Sequence, residues 1–170
     1  MRNKCLHSYY VEDMKEKSEI DVALEKLQRY CIYQDRCEQE VYQKLRKFDI
    51  SELEKEDIVE TLKDDDFLNE ERFAEAYVIG KFKSNSWGKN KIKYHLLQKK
   101  VDDMIINRAL QGLDEEEYKN RLRELLKKKN ERLRESDKYK RKDKLMRYAY
   151  QKGFETGLIY QIINEITPNS

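Results

Sequence analysis

One arrangement of apolar residues occurs three times along this 170-residue chain. Val41, Leu45 and Ile50 are matched by Ile92, Leu96 and Val101, and again by Leu145, Ala149 and Phe154. In each set the first two residues lie one helical turn apart and share a face, and the third follows five residues later, where the chain must reverse into a new helix. Each set is followed by a further apolar pair, Ile58 with Leu62, Ile106 with Leu110, and Ile159 with Ile163. The first set needs about four extra residues in its turn. A repeat of about 45 residues built this way implies units that pack on their neighbours in a tandem array.

The rest of the sequence supports helices throughout. There is one proline, Pro168, and there are five glycines, so helix breakers and hairpin dipeptides are scarce. Apolar spacing predicts helices over 19–33, 36–47, 54–63, 69–83, 88–99, 102–111, 114–135, 140–152 and 155–166. Asn69 is placed to cap the fourth, Gly112 to end the sixth and Gly153 to end the eighth. The expected fold is therefore all-α, an elongated array of three three-helix units over 19–64, 65–112 and 113–167. Residues 1–18 do not fit the repeat and are either a flexible arm or a short helix packed on the first unit.

Charge divides the chain. Residues 1–80 carry 13 Lys/Arg against 21 Asp/Glu, whereas residues 81–170 carry 23 against 13, so a formal charge of +2 conceals halves at −8 and +10. A basic second half suggests an acidic partner, typically nucleic acid, although solvated helix faces with i,i+4 pairing account for much of any such charge. The densest region runs from Lys119 to Arg147, with 14 basic residues and five acidic ones. Part of it suits a helix C-terminus, and the remainder reads as a salt-sensitive, sequence-independent phosphate patch. Lys127, Lys128, Lys138, Lys140, Arg141, Lys142, Lys144 and Arg147 are its expected nucleic-acid contacts. Tyr139 and Tyr148 either stack on bases or pack between helices; with 12 tyrosines in the chain, packing is the expectation.

Catalysis finds no foothold. The two histidines are His7 and His95, and no nucleophile elbow, phosphate loop or zinc-protease spacing occurs. Cys5, Cys31 and Cys37 form no even framework and no CxxC pair, so neither a metal site nor a cofactor is expected, and the thiols are expected in the core. No signal-peptide pattern opens the chain and no apolar run approaches the roughly 20 residues of a membrane span, which points to the reducing cytoplasm.

Residues 66–110 carry the most specific pattern. Phe67-Leu68-Asn69-Glu70-Glu71-Arg72-Phe73-Ala74 forms a short hydrophobic entry, an acidic helix start and an Arg-aromatic-Ala core, with Tyr77-Val78 following; Gly88, Lys91, Ile92, Leu96 and Val101 come next, and Lys152-Gly153-Phe154 marks a turn in the third unit. This order and spacing resembles the RecX family of recombination regulators over about residues 20–166. Three positions depart from the family pattern: Asp66 and Lys100 stand where glycine is usual, and Lys91 replaces an arginine. The resemblance implies a monomeric, non-enzymatic regulator that binds the RecA recombinase filament on single-stranded DNA and damps its growth, ATP hydrolysis and strand exchange. The rival reading is a helix-turn-helix DNA-binding protein without a recombinase partner.

Lys89, Lys91 and Lys93 crowd the start of the fifth helix, where the macrodipole disfavours cations, and an anion meeting both the side chains and the open amides would account for them. With Arg72, Lys81, Lys83 and Trp87 they form the expected partner-binding set. Arg72, with Glu70, Glu71 and Glu75 nearby, is expected to pair within its own helix or with the adjoining unit, and Trp87 is either a staple packing the linker or an anchor for a partner.

Overall fold

A computed structural model describes residues 18–167. The expected arm, apart from Ser18, lies outside the described residues, as do Cys5, His7 and Pro168. The described residues form nine α-helices and no strands: α1 (Glu19–Tyr33), α2 (Glu38–Leu45), α3 (Glu52–Asp64), α4 (Glu70–Asn85), α5 (Lys89–Gln98), α6 (Asp103–Gln111), α7 (Glu115–Arg132), α8 (Lys138–Lys152) and α9 (Thr156–Ile166). Most starts have a side-chain cap. Ser18 and Ser51 form capping boxes with Asp21 and Glu54. Asn69, Asp102, Asp114 and Asp137 each accept backbone N–H groups of the first turn that follows.

The helices pack in threes, α1–α3, α4–α6 and α7–α9, as a tandem array. Every residue of the three repeated sets is buried except Ile50, which is half-buried because the first unit's longer turn carries it outward. In the second and third units the turn is the same device. Val101 N–H donates to the Leu96 carbonyl at 3.2 Å and Phe154 N–H to that of Ala149 at 3.2 Å, each bond spanning a residue of positive φ, Lys100 at 61° and Gly153 at 89°.

The cores are unequal in extent. The first unit has its own, around Leu27, Val41, Leu45, Ile58 and Leu62. A single continuous core runs through the second and third units, and from the first unit only Cys37 enters it among the buried residues. Burial pushes the Cys31 and Cys37 thiols above their ordinary value, so both stay protonated.

The junction between the second and third units is made by backbone. Gly88 N–H donates to the Lys152 carbonyl at 2.8 Å and Asn90 N–H to that of Gly153 at 3.0 Å. A Cβ on Gly88 would lie 2.3 Å from the Gly153 carbonyl oxygen, and one on Gly153 would lie 2.3 Å from Lys91 Cβ. Tyr118 of α7 seals the contact. Its ring is buried between Phe82 and Phe154, at centroid distances of 5.7 and 5.1 Å, and its hydroxyl accepts Lys89 N–H at 2.9 Å while donating to Glu155 at 2.7 Å. Burial raises this phenol far above its usual range, which keeps it a donor.

The first junction is largely ionic. Arg72 Nε meets Asp35 at 2.6 Å, Lys99 Nζ meets Glu40 at 2.6 Å, and Glu38 N–H donates to the Glu70 carboxylate at 2.6 Å. Arg72 pairs with Asp35 of the adjoining unit, one of the two structural roles expected of it, and with Asp66 just before its own helix. One helix boundary differs from the sequence expectation because of long-range bonds. The seventh helix stops at Arg132 rather than 135, because Arg141 binds the carbonyls of Asn130, Leu133 and Glu135 and holds the connection open.

Candidate nucleic-acid and partner interface

The start of α5 carries the lysine cluster, and its neighbours already supply negative groups. Lys89 pairs with Glu115 of α7 and lies over the Tyr118 ring at 4.8 Å. Lys93 Nζ reaches Asp103 at 2.6 Å and Asn107 at 2.9 Å, and Lys91 Nζ reaches the Gln151 carbonyl at 3.3 Å. The amides of Gly88, Lys89 and Asn90 are taken by Lys152, Tyr118 and Gly153. The expected open anion site at this helix start is therefore filled from within the chain, and its lysines bind the second unit to the third or to α6.

Trp87 is half-buried against the shared core and stacks on His95 with ring centroids 4.6 Å apart. Lys91 and Lys81 lie over its ring at 4.9 and 5.4 Å. Burial, followed by the charges of Lys91, Lys81 and Lys99, holds His95 below the ordinary imidazole value, so the stacked ring is neutral near pH 7. Trp87, Tyr77, Phe73 and Lys81 line a cleft of about 690 Å³ whose facing side includes Gln34 and Asp35. Lys83, on the last turn of α4, is exposed and makes no hydrogen bond, ion pair or ring contact with a described residue.

The basic stretch divides by partner. Arg141 spends its whole guanidinium on the α7–α8 connection, including Asn130 Oδ1 at 2.8 Å. Lys144 pairs with Glu135 at 2.7 Å, Arg147 pairs with Asp143 in its own helix, and Lys142 reaches Asn164 of α9 at 3.3 Å. Lys138 also has a contact among the described residues. The side chains of Lys127, Lys128 and Lys140 make no hydrogen bond, ion pair or ring contact with a described residue, and neither do those of Arg132 and Arg134, which are absent from the expected set. Those five unpaired cations lie on the last two turns of α7, on the connection after it and in the first turn of α8. Tyr139, next to Lys140 in the first turn of α8, has 87% of its surface exposed, contrary to the packing role expected of it, whereas Tyr148 is half-buried under Lys129.

Comparison with known proteins follows the same segments. Residues 69–110 match a family described as RecX, second three-helix domain, and residues 115–163 match RecX, third three-helix domain. A regulatory protein RecX of Clostridium acetobutylicum is 32% identical over 169 residues, covering 97% of this chain and 78% of the relative. The chain belongs to the RecX family.

Another regulatory protein RecX, from Oceanobacillus iheyensis, is 31% identical over 79% of this chain, and the matched stretch spans about half of that longer relative. The crystal structure of RecX from Lactobacillus salivarius superposes with a TM-score of 0.80 at 29% identity, covering 87% of this chain and 96% of that one. Within the RecX pattern, the two positions where this chain lacks the usual glycine both have positive φ, Asp66 at 56° and Lys100 at 61°. Asp66 is compensated, since its side chain accepts from Arg72 at 3.0 Å and from Asn69 at 3.3 Å; Lys100 has no such bond among the described residues.

Among the described residues no group of His, Cys, Asp and Glu is arranged to hold a metal, and no helix is long and apolar enough to cross a membrane.

Proposed function

We propose that this RecX-family chain is a non-enzymatic cytoplasmic regulator that binds the RecA recombinase filament on single-stranded DNA and damps its ATP hydrolysis and strand exchange. The observation that carries the reading is the end of the third unit. There Lys127, Lys128, Arg132, Arg134 and Lys140 stay unpaired in a chain that otherwise matches most of its lysines and arginines to carboxylates or carbonyls. Unmatched cations on a fixed scaffold suit phosphates, and the contact is sequence-independent because no set of base-reading side chains accompanies them. Toward the recombinase the central unit offers Lys83, Lys81 and the edge of Trp87 beside the aromatic cleft. Arg72, Lys89 and Lys91 support that surface by holding the units together, and Lys93 by holding α5 to α6.

The deciding measurement is DNA-dependent ATP hydrolysis by the host recombinase at low salt with this protein added to saturation. Inhibition is expected. An unchanged rate refutes the regulator reading, and tight sequence-selective binding to bare DNA without recombinase binding establishes the helix-turn-helix alternative instead.

A further inference from the structure

At one end of the third unit, three helix termini converge. Arg141 ties the start of α8 to Asn130 at the end of α7, Lys142 ties α8 to Asn164 near the end of α9, and Arg123 of α7 reaches Glu165 of α9 at 2.9 Å. The planar fork of Arg141 fixes three successive stretches of backbone at once, so the connection between α7 and α8 is held rather than loose. Around this scaffold lie the unpaired cations, and in the first turn of α8 lies Tyr139.

Among the described residues Tyr139 is the most exposed large hydrophobic side chain, at 87%, and its ring makes no aromatic, cation or hydrogen-bond contact with any of them. It has no capping duty, because Asp137 accepts both its own N–H and that of Lys140. The same two bonds close the helix start to an anion, so phosphates here meet side chains rather than amides. Duplex DNA satisfies a purely cationic patch, but its bases are stacked inside and offer an exposed ring nothing. A single strand offers both phosphates and free base faces, and a positive surface with a projecting aromatic is the arrangement that uses both.

We propose that Tyr139 is the strand-selecting residue of this end: it stacks on an unpaired base while Lys127, Lys128, Arg132, Arg134 and Lys140 hold the flanking phosphates, so that the site takes single-stranded nucleic acid in preference to duplex. The inference deepens the proposed function and rests on its claim that the third unit meets nucleic acid.

The test is fluorescence anisotropy of the full chain with a labelled 20-nucleotide mixed-sequence single strand and with its duplex, at low salt. Wild type is expected to favour the single strand. Tyr139→Ala weakens single-strand binding by about tenfold and leaves duplex binding unchanged, while Tyr139→Phe retains the preference. The double variant Lys127→Gln, Lys128→Gln weakens both ligands together and lowers the salt dependence of both. If Tyr139→Ala leaves the ratio of the two affinities at the wild-type value while the lysine variant weakens both, the stacking inference fails and the phosphate patch stands. If the lysine variant changes neither affinity, the nucleic-acid reading of this unit fails and the inference falls with it. Folding is controlled by the thermal midpoint, which a side chain this exposed leaves unmoved.

Discussion

Replacing Gly88 by alanine tests the backbone junction directly. The new Cβ would stand 2.3 Å from the Gly153 oxygen and 2.4 Å from both Gly153 C and Phe154 N, all atoms of backbone that cannot rotate away. The gap must lengthen by about 0.7 Å to reach even 3.0 Å, the closest approach real Cβ atoms make. Opening it that far breaks or weakens the bonds from Gly88 N–H and Asn90 N–H to the end of α8. Each lost bond costs about 1 kcal/mol, more where the donor stays dry, and overpacking a fitted contact adds about 1–3 kcal/mol. The expected loss is about 3–5 kcal/mol, which for a chain of this size lowers the thermal midpoint by about 6–20 °C. Gly80→Ala is the matched control. It lies inside α4 with nothing within 4 Å of a built Cβ, so alanine there should stabilise by about 0.5–1 kcal/mol through helix propensity. Melting followed by circular dichroism gives the midpoints, and amide exchange gives the location, since Asn90 should lose protection in Gly88→Ala. A Gly88→Ala midpoint within about 2 °C of wild type, with Asn90 still protected, would refute the reasoning.

Three further predictions concern single side chains. Lys100→Gly should raise stability by about 0.5–1 kcal/mol, because it removes the strain of a Cβ in the left-handed region at the cost of some unfolded-chain entropy; Asp66→Gly, at a similar φ, should instead lower the denaturation midpoint because it removes the Arg72 and Asn69 bonds. Burial raises the Glu70 carboxyl above its ordinary 4.5, so its contribution to stability is fully present below that value and is lost as pH rises through the higher folded value. Glu70→Gln keeps an acceptor for Glu38 N–H and should abolish this component, seen as a smaller pH-dependent fall in midpoint between wild type and variant over pH 4–7; identical profiles would refute it.

How much of this was legible in the sequence depends on the distance over which each residue acts. The faces of α2, α5 and α8 follow from apolar residues four apart, and Val41, Ile92 and Leu145 are all buried where that spacing puts them. Asn69 and Gly153 were legible for the same reason, since caps act within one turn. The lysines of α5 were not. Their partners are the Glu115 carboxylate, the Gln151 backbone carbonyl and the Asp103 carboxylate, groups on other helices that this helix's own sequence gives no means of locating. Arg141 likewise looked like one more cation of a basic run, but its five bonds to the preceding connection remove it from the patch and shorten α7. Arg132 and Arg134 escaped attention because local charge density favours lysine triplets, whereas availability depends on which cations the fold leaves without a carboxylate.

The unequal junctions also determine where the molecule is compliant. A continuous apolar core and two abutting glycines make the second and third units one stiff member, whereas the first unit hangs on Arg72, Lys99, Glu70 and the buried Cys37. Salt screens ion pairs but strengthens rather than weakens apolar burial, so ionic strength acts selectively on the first joint. Bending stress from a curved partner would concentrate there as well, in the manner of a single pivot at one end of a rigid rod.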